Sequence, residues 1–114
     1  DGAVQVGQFA GIVRDRIRMA LNGHMIVTLI MEENDKPLGD PWVELSGLVE
    51  TGGSNASVVE VVEADLAQFL GRANDKTLTD DVKLEKELRN VARRAAQGEI
   101  GKKPEVTVIV SRLS

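Results

Sequence analysis

The sequence predicts an α+β domain of two layers, in which two helices pack on one face of a three-stranded sheet in the order β-β-α-α-β. Three observations predict this fold: two apolar runs on either side of a turn-forming segment, two amphipathic stretches, and a valine-rich run at the end. Runs rich in β-branched residues indicate strands, and apolar residues every three or four positions indicate helices. At 114 residues the chain has room for one domain with a modest core.

The first two strands are predicted to form an antiparallel hairpin. The run HMIVTLIMEE, which begins at His24, is aliphatic and β-branched on both faces, as is typical of a strand buried on two sides. The segment NDKPLGDP is rich in turn-forming residues and separates this run from WVELSGLV. In the second strand Val43 and Leu45 would lie on one face, with Trp42 and Glu44 on the other.

Two helices are predicted after the hairpin. Ser57 and Glu60 are spaced as a capping box, which indicates the start of the first helix. Its apolar stripe consists of Val58, Val59, Val62, Leu66, Phe69 and Leu70. Thr79, followed by two aspartates, is predicted to cap the second helix, and Gly98 to end it. The buried stripe of that helix is predicted to be Leu84, Leu88, Val91 and Ala95.

The closing run from Glu105 to Leu113 is predicted to lie beside the first strand and to complete the sheet. We expect residues 1–11 to be the remnant of a linker or a short edge strand, and residues 12–114 to form the single domain. The stretch IVRDRIRMALNG has a helix-compatible pattern that is too short to assign. Because the chain starts without an initiator methionine, we expect it to be a piece of a longer protein.

The charge is unevenly distributed along the chain. The net charge of -4 argues against general nucleic-acid binding by the whole domain. Residues 32–65 hold nine acidic residues against one lysine, a net charge of -8, whereas residues 89–103 carry a net charge of +4. These two regions are either solvated faces of opposite charge, or an uneven distribution of charge that orients a binding partner. The candidates for contact with phosphate groups of RNA are Arg89, Arg93, Lys102 and Lys103.

No catalytic or metal-binding residue can be assigned from the sequence. The chain has no cysteine, which excludes disulfides and zinc–thiolate sites and is typical of a cytoplasmic protein. His24 is the only histidine and no orienting partner can be identified for it. The acidic residues of EENDKPLGD lack the spacing of a calcium loop, and GGSN lacks the lysine of a phosphate loop. The GEIG stretch matches the GxxG pattern of KH domains, but Glu99 within it would repel phosphate.

The two strands HMIVTLIM and VTVIV are apolar on both faces, which is more than one layer of helices can bury. We therefore expect one face of the sheet to contact a second copy or another part of a parent protein. Trp42 is one of few aromatic residues, and packing at such an interface explains it better than base stacking. The predicted interface residues are Ile26, Ile30, Trp42, Thr107 and Ile109.

Three stretches in this order resemble the C-terminal domain of bacterial ribonuclease J, in its alphaproteobacterial form: VRDRIRMALNG with HMIVTLIM, then PLGDPWVELSGL, then GKKPEVTVIVSRL. The family consists of metallo-β-lactamase/β-CASP ribonucleases that process and degrade RNA. The resemblance implies that zinc is bound in an upstream catalytic domain, whose ligand motif has no counterpart here. It also implies an accessory and oligomerisation domain, with the catalytic domain, a second copy and, through the parent, RNA as partners.

Two alternatives remain open at this point. The chain could be a stand-alone nucleic-acid-binding module that uses the basic residues of the second helix with Lys102 and Lys103. It could also be a small enzyme that uses surface carboxylates. The leading hypothesis is a non-catalytic domain of a cytoplasmic ribonuclease that has no contact with a membrane, since the longest apolar run is far shorter than a membrane span.

Overall fold

The structure is a computed structural model that describes residues 11–14 and 23–113. Residues 11–14 are helical, and the rest of the predicted linker and of the stretch before the first strand lies outside the described residues. The other elements are β1 (His24–Met31), β2 (Trp42–Ser46), α1 (Val58–Arg72), α2 (Asp75–Leu78), α3 (Asp81–Ile100) and β3 (Glu105–Arg112). The predicted α+β class is confirmed, with the short helix α2 in addition to the two predicted helices.

The sheet has three strands in the order β2-β1-β3. β1 pairs antiparallel with β2, as the predicted hairpin requires, with Met25 opposite Leu45 and Val27 opposite Val43. β1 pairs parallel with β3, where Met25 lies opposite Val106. A parallel neighbour needs a long crossover connection, which the three helices provide. The prediction that the last strand lies beside the first is therefore confirmed.

The core lies between one face of the sheet and the two long helices. Met25, Val27, Leu29 and Met31 on β1 are all buried and pack against the buried stripes of α1 and α3. The α1 stripe is Val58, Val62, Leu66 and Leu70, while the predicted Val59 and Phe69 are half-buried. The α3 stripe is Leu84, Leu88, Ala92 and Ala96.

Two sequence predictions about burial are wrong in part. Val91 and Ala95 are half-buried and do not belong to the core. The buried residues of α3 recur every four positions, so the row continues from Leu88 to Ala92. Val91 and Ala95 therefore lie on the flank of α3 that faces α1. β1 is fully buried on one face only, since its alternate residues, including Ile26 and Ile30, are half-buried. The reason is that the helices α1 and α3 both pack on the same side of the sheet.

The boundaries of α3 also differ from the prediction. Thr79 is not its N-cap, because Thr79 closes the short helix α2. The adjacent Asp80 is the N-cap, and its side chain accepts a hydrogen bond from a backbone N–H in the first turn. The helix does not stop at Gly98 but continues to Ile100. It ends at Gly101, whose φ of 72° is the left-handed conformation that favours glycine.

Arg112, at the end of β3, joins three separate parts of the chain. Its Nη1 donates to Oδ1 of Asp35 in the hairpin loop at 2.8 Å, and its Nε donates to Oδ1 of Asp81 at the start of α3 at 2.6 Å. Its Nη2 donates to the carbonyl oxygen of Leu78 at 2.6 Å. The guanidinium fork therefore fixes the end of β3 to both the loop and the helical layer.

Candidate functional site

The face of the sheet opposite the core, called the open face below, is a continuous surface across all three strands. None of the helices between residues 58 and 100 packs on it, since their buried residues all belong to the core on the other side. The register places two rows across its centre, Glu44–Ile26–Thr107 and Trp42–Thr28–Ile109. All five residues predicted to form an interface lie on this face: Ile26, Ile30, Trp42, Thr107 and Ile109.

The open face carries large apolar side chains from all three strands, beside polar ones such as Thr28 and Thr107. Trp42 is 44% exposed and Ile109 is 46% exposed, although both are large apolar side chains. Ile26 and Ile30 are half-buried because strands on both sides flank them. Exposed large apolar side chains that share one surface are typical of a protein–protein contact.

His24 lies at one end of the open face and has a partner there. Its Nε2 is 2.7 Å from the hydroxyl oxygen of Thr107 on β3. Sequence reasoning missed this partner because the two residues are 83 positions apart. The contact joins neighbouring strands of the sheet, so it supports a structural role for His24.

The basic residues predicted to contact RNA lie near one another at the end of α3. Arg93 Nε donates to the carbonyl oxygen of Pro104 at 3.4 Å, which holds this side chain beside the turn that contains Lys102 and Lys103. Both lysines are exposed, and Arg89 lies one turn earlier on the same flank of the helix. These four residues are called the basic cluster below. Arg94 points away from them into a cleft of about 190 Å³ between α1 and α3.

Glu99 holds the loop before α1 against the end of α3. Its carboxylate accepts hydrogen bonds from the hydroxyl and the backbone N–H of Ser54, and its carbonyl oxygen accepts one from the N–H of Gly53. The Ser54 hydroxyl and then the Ser54 N–H lower the pKa of Glu99 from its ordinary value of 4.5. A side chain at Gly52 would lie 2.6 Å from the Cβ of Glu99, so this close approach requires glycine.

The GEIG stretch is not a GxxG loop. Residues 98–100 belong to α3 and only Gly101 lies beyond it, whereas the loop of a KH domain joins two helices. Within the described ranges 11–14 and 23–113, the structure shows no group of three or more acidic or histidine side chains that could hold a metal ion. The helices in these ranges are too short or too polar to cross a membrane.

A protein-family model described as the ribonuclease J C-terminal domain matches residues 11–113, which is nearly the whole chain. The chain belongs to this family. No curated protein matches the chain closely enough to count as a relative. The resemblance based on the opening stretch, the hairpin and the closing strand is therefore confirmed at the level of the family.

Within this ribonuclease J C-terminal domain, the structure concentrates the sequence-predicted residues on two surfaces. The open face contains the predicted interface residues, and the basic cluster contains the predicted RNA contacts. Sequence reasoning did not identify three residues whose side chains connect different elements. Glu63 of α1 accepts a hydrogen bond from the N–H of Val43 on β2, and Glu99 and Arg112 make the contacts described above. Each of them acts across a separation of 20 or more positions, and no local pattern marks such a contact.

Proposed function

We propose that this domain is a non-catalytic accessory and oligomerisation domain of a ribonuclease J-like enzyme that acts in RNA processing and decay. It would act by positioning the catalytic domains of the parent, not by chemistry of its own. The observation that supports this proposal is the open face, where Trp42 and Ile109 leave nearly half of their surface exposed on a sheet whose other face is a closed core.

The physical reason is the free energy of burying apolar surface, about 25 cal/mol for each Å² removed from water. The helices α1 and α3 gain this free energy on the core face only. A second copy or the catalytic part of the parent enzyme would gain it on the open face. Because Trp42, Thr28 and Ile109 form a row across the sheet, one partner surface can cover them together.

The catalytic chemistry belongs, in this proposal, to an upstream metallo-β-lactamase/β-CASP domain that binds zinc in the cytoplasm. The described residues of this domain contribute no cluster suited to a metal ion. His24, the only histidine, is engaged by Thr107 within the sheet. The accessory domain would therefore change the activity of the parent through assembly and placement of its catalytic domains.

Sedimentation of the 114-residue chain and its Trp42→Lys variant tests the proposed use of the open face. We expect the wild-type chain to self-associate as its concentration rises, or to bind the isolated catalytic part of its parent. The added charge should weaken that association by about tenfold or more, because a lysine would have to be buried unpaired. Val82→Lys is the matched control, since Val82 is 79% exposed on α3 and lies away from the open face.

A wild-type chain that neither self-associates nor binds the catalytic part would contradict the proposal. Equal weakening by the Trp42 and Val82 variants would also contradict it, because the effect would then come from net charge alone. Circular dichroism of both variants checks that the fold is retained. Both positions are exposed, so we expect little loss of stability.

A second candidate function is nucleic-acid binding by the basic cluster, and the contact between Arg93 and Pro104 favours it by holding Arg93 beside the two lysines. If this function is real, single-stranded RNA should bind with an affinity that falls steeply with salt. Lys102→Ala with Lys103→Ala should reduce the salt slope by about 1.4, at about 0.7 for each phosphate contact. Lys83→Ala with Lys86→Ala is the control, and equal slopes in the two double variants would contradict this function.

A further inference from the structure

The outer edge of β3 carries a row of backbone hydrogen-bonding groups that no other described strand pairs with. The N–H of Glu105 donates to the carbonyl oxygen of Gly23 at 3.1 Å, and the N–H of Leu113 donates to that of Met31 at 2.9 Å. These bonds lie at the two ends of the parallel pairing between β1 and β3. They show that odd-numbered residues of β3 direct their N–H and carbonyl groups toward β1. Alternate residues of a strand direct these groups to opposite sides.

The even-numbered residues Val106, Val108 and Val110 therefore direct their N–H and carbonyl groups away from β1. β3 ends the strand order β2-β1-β3, so in the described part of the chain no strand pairs with these groups. The strand is eight residues long, and its centre VTVIV contains no charged residue and no proline. Sheets usually protect an open edge with such residues or with a short strand, and here neither device is present at the centre.

The opposite edge of the sheet is protected. β2 has five residues, and its outward N–H at Val43 donates to Oε2 of Glu63 at 2.9 Å. A side chain of α1 thus occupies the position that a further strand would take. Within the described residues, the β2 edge therefore has one outward N–H bound by a side chain, whereas the outward groups of the β3 edge have no neighbouring strand.

We propose that β3 pairs antiparallel with β3 of a second copy, about a two-fold axis at Val108, and that the two sheets of three strands become one continuous sheet. This inference rests on the proposed function as an oligomerisation domain and names the element through which the copies meet. Val108 would exchange both backbone hydrogen bonds with Val108 of the second copy, and Val106 with its Val110. Thr107 and Ile109 would face each other across the axis on the open face.

The second copy is favoured as the partner by charge complementarity on α3. Asp81 is bound to Arg112 and Arg93 to Pro104, so α3 runs antiparallel to β3 beneath it. The midpoint between the two contacts is residue 87 on α3 and residue 108 on β3. An axis through Val108 therefore passes close to residue 87 of both copies.

That axis places Glu85 of one copy opposite Arg89 of the other, and the reverse pair follows by symmetry. Glu85, Arg89 and Arg93 lie on the flank of α3 that faces the β3 edge, since the other flank, with Val91 and Ala95, lines the cleft against α1. Opposite charges at the matching positions favour a two-fold pairing of identical chains, in which each residue i meets j and j meets i. The same contact uses Arg89, a member of the basic cluster, as an interface residue.

Amide hydrogen exchange of the 114-residue chain, followed residue by residue with concentration, tests the edge pairing. Odd-numbered amides from Thr107 to Ser111 are bonded to β1 and should be protected at all concentrations. The amides of Val106, Val108 and Val110 should exchange fast in the dilute chain, and their rate should fall in proportion to the monomer fraction as the concentration rises.

A charge-exchange experiment tests the two-fold axis. Arg89→Glu alone and Glu85→Arg alone should each weaken self-association by about tenfold or more, because like charges then meet across the axis. An equimolar mixture of the two variants should associate as strongly as the wild type, because every facing pair then joins opposite signs. Both positions are on the surface flank of a helix, so each variant is expected to remain folded.

The outcomes separate this inference from the proposed function. Association in which the three valine amides stay fast would overturn the edge pairing and leave association through the open face standing. Mixed variants that associate no better than either alone would overturn the two-fold axis. A chain that remains monomeric at every concentration would overturn the edge pairing, whereas binding to the catalytic part of the parent would still support the accessory role.

Discussion

The two edges of this sheet are built differently, although both belong to one small domain. β2 is short, and its outward N–H at Val43 is held by Glu63 of α1. β3 is longer, its centre is β-branched and uncharged, and it is fixed at its end by Arg112. One edge is therefore short and has an outward N–H bound by a side chain of α1, whereas the other is fixed at its end and, among the described residues, no strand pairs with the outward groups of its centre.

This difference indicates where the domain can grow. A sheet adds strands only where N–H and carbonyl groups point outward without a partner, and a side chain that occupies them blocks the addition. Glu63 supplies such a block on the β2 side. On the β3 side the ends are fixed and none of the described strands pairs with the centre, which is the arrangement that a strand-to-strand contact requires.

The largest effect is expected from Arg112→Ala, which releases the end of the open edge. Loss of the bonds to Asp35, Asp81 and the carbonyl of Leu78 should lower the free energy of unfolding by about 2 kcal/mol. Arg112→Lys should give an intermediate loss, since a lysine keeps the charge but not the fork. Urea unfolding measures both.

Arg94→Ala is the matched control for this prediction, because Arg94 is exposed and the described residues make no hydrogen bond with it. We expect a change within about 0.5 kcal/mol there. If the Arg112 and Arg94 variants lose the same stability, β3 is not fixed by its end, and the contrast between the two edges would have to be revised.

A smaller effect is expected when the closed edge is opened. Glu63→Ala leaves the half-buried N–H of Val43 without its acceptor and should cost about 1 kcal/mol. The amide of Val43 should also exchange faster, which hydrogen exchange measures at that single residue. Glu63→Gln keeps an acceptor oxygen and should lose less, and Glu60→Ala, an exposed carboxylate on the same helix, should leave the Val43 amide unchanged.

An unchanged exchange rate at Val43 in the Glu63→Ala variant would show that the carboxylate does not protect the edge. If the variant instead gains a new tendency to self-associate, Glu63 is the group that prevents strand pairing at β2, because both edges would then accept a strand. Sedimentation at several concentrations separates these two results.

Apolar patterns, together with the turn-forming segment NDKPLGDP and the capping residues, predicted the class of the fold, which strands are neighbours and most of the core. The apolar run HMIVTLIM and the four-residue row in α1 are local patterns that burial imposes on any chain. Thr79 and Asp80 are both good N-caps, and only the presence of α2 decides between them. Local sequence could not show this, because α2 is only four residues long.

The candidate surfaces were predictable as sets of residues but not as geometry. The five predicted interface residues share the open face because they alternate with core residues along each strand. Which edge is open depends on the direction of each N–H, and this follows from the register between residues more than 80 positions apart. The protection of Val43 by Glu63 and the fixing of Arg112 have the same origin, since both contacts exist only after the helices have packed.

The smallest effect is expected at Glu99, which joins the helix beneath the β3 edge to the loop that leaves the β2 edge. The Ser54 hydroxyl, and next the Ser54 N–H, lower the pKa of Glu99 below its ordinary 4.5 in the folded state. A lowered folded pKa stabilises the fold above the unfolded value, and this contribution disappears as the pH falls through the folded value. Ser54→Ala should therefore reduce stability slightly at neutral pH and leave it unchanged at a pH below the folded pKa of Glu99.

Urea unfolding of the Ser54→Ala variant and the wild type at the two pH values measures this difference, and titration by NMR should show the pKa of Glu99 moving back toward 4.5. Ser46→Ala, an exposed serine on β2, is the control and should show no such dependence on pH. A stability difference of equal size at both pH values would mean that the serine acts through packing and not through the charge of Glu99. The loop and α3 would then be joined by the bond from the Gly53 N–H to the Glu99 carbonyl, which does not titrate.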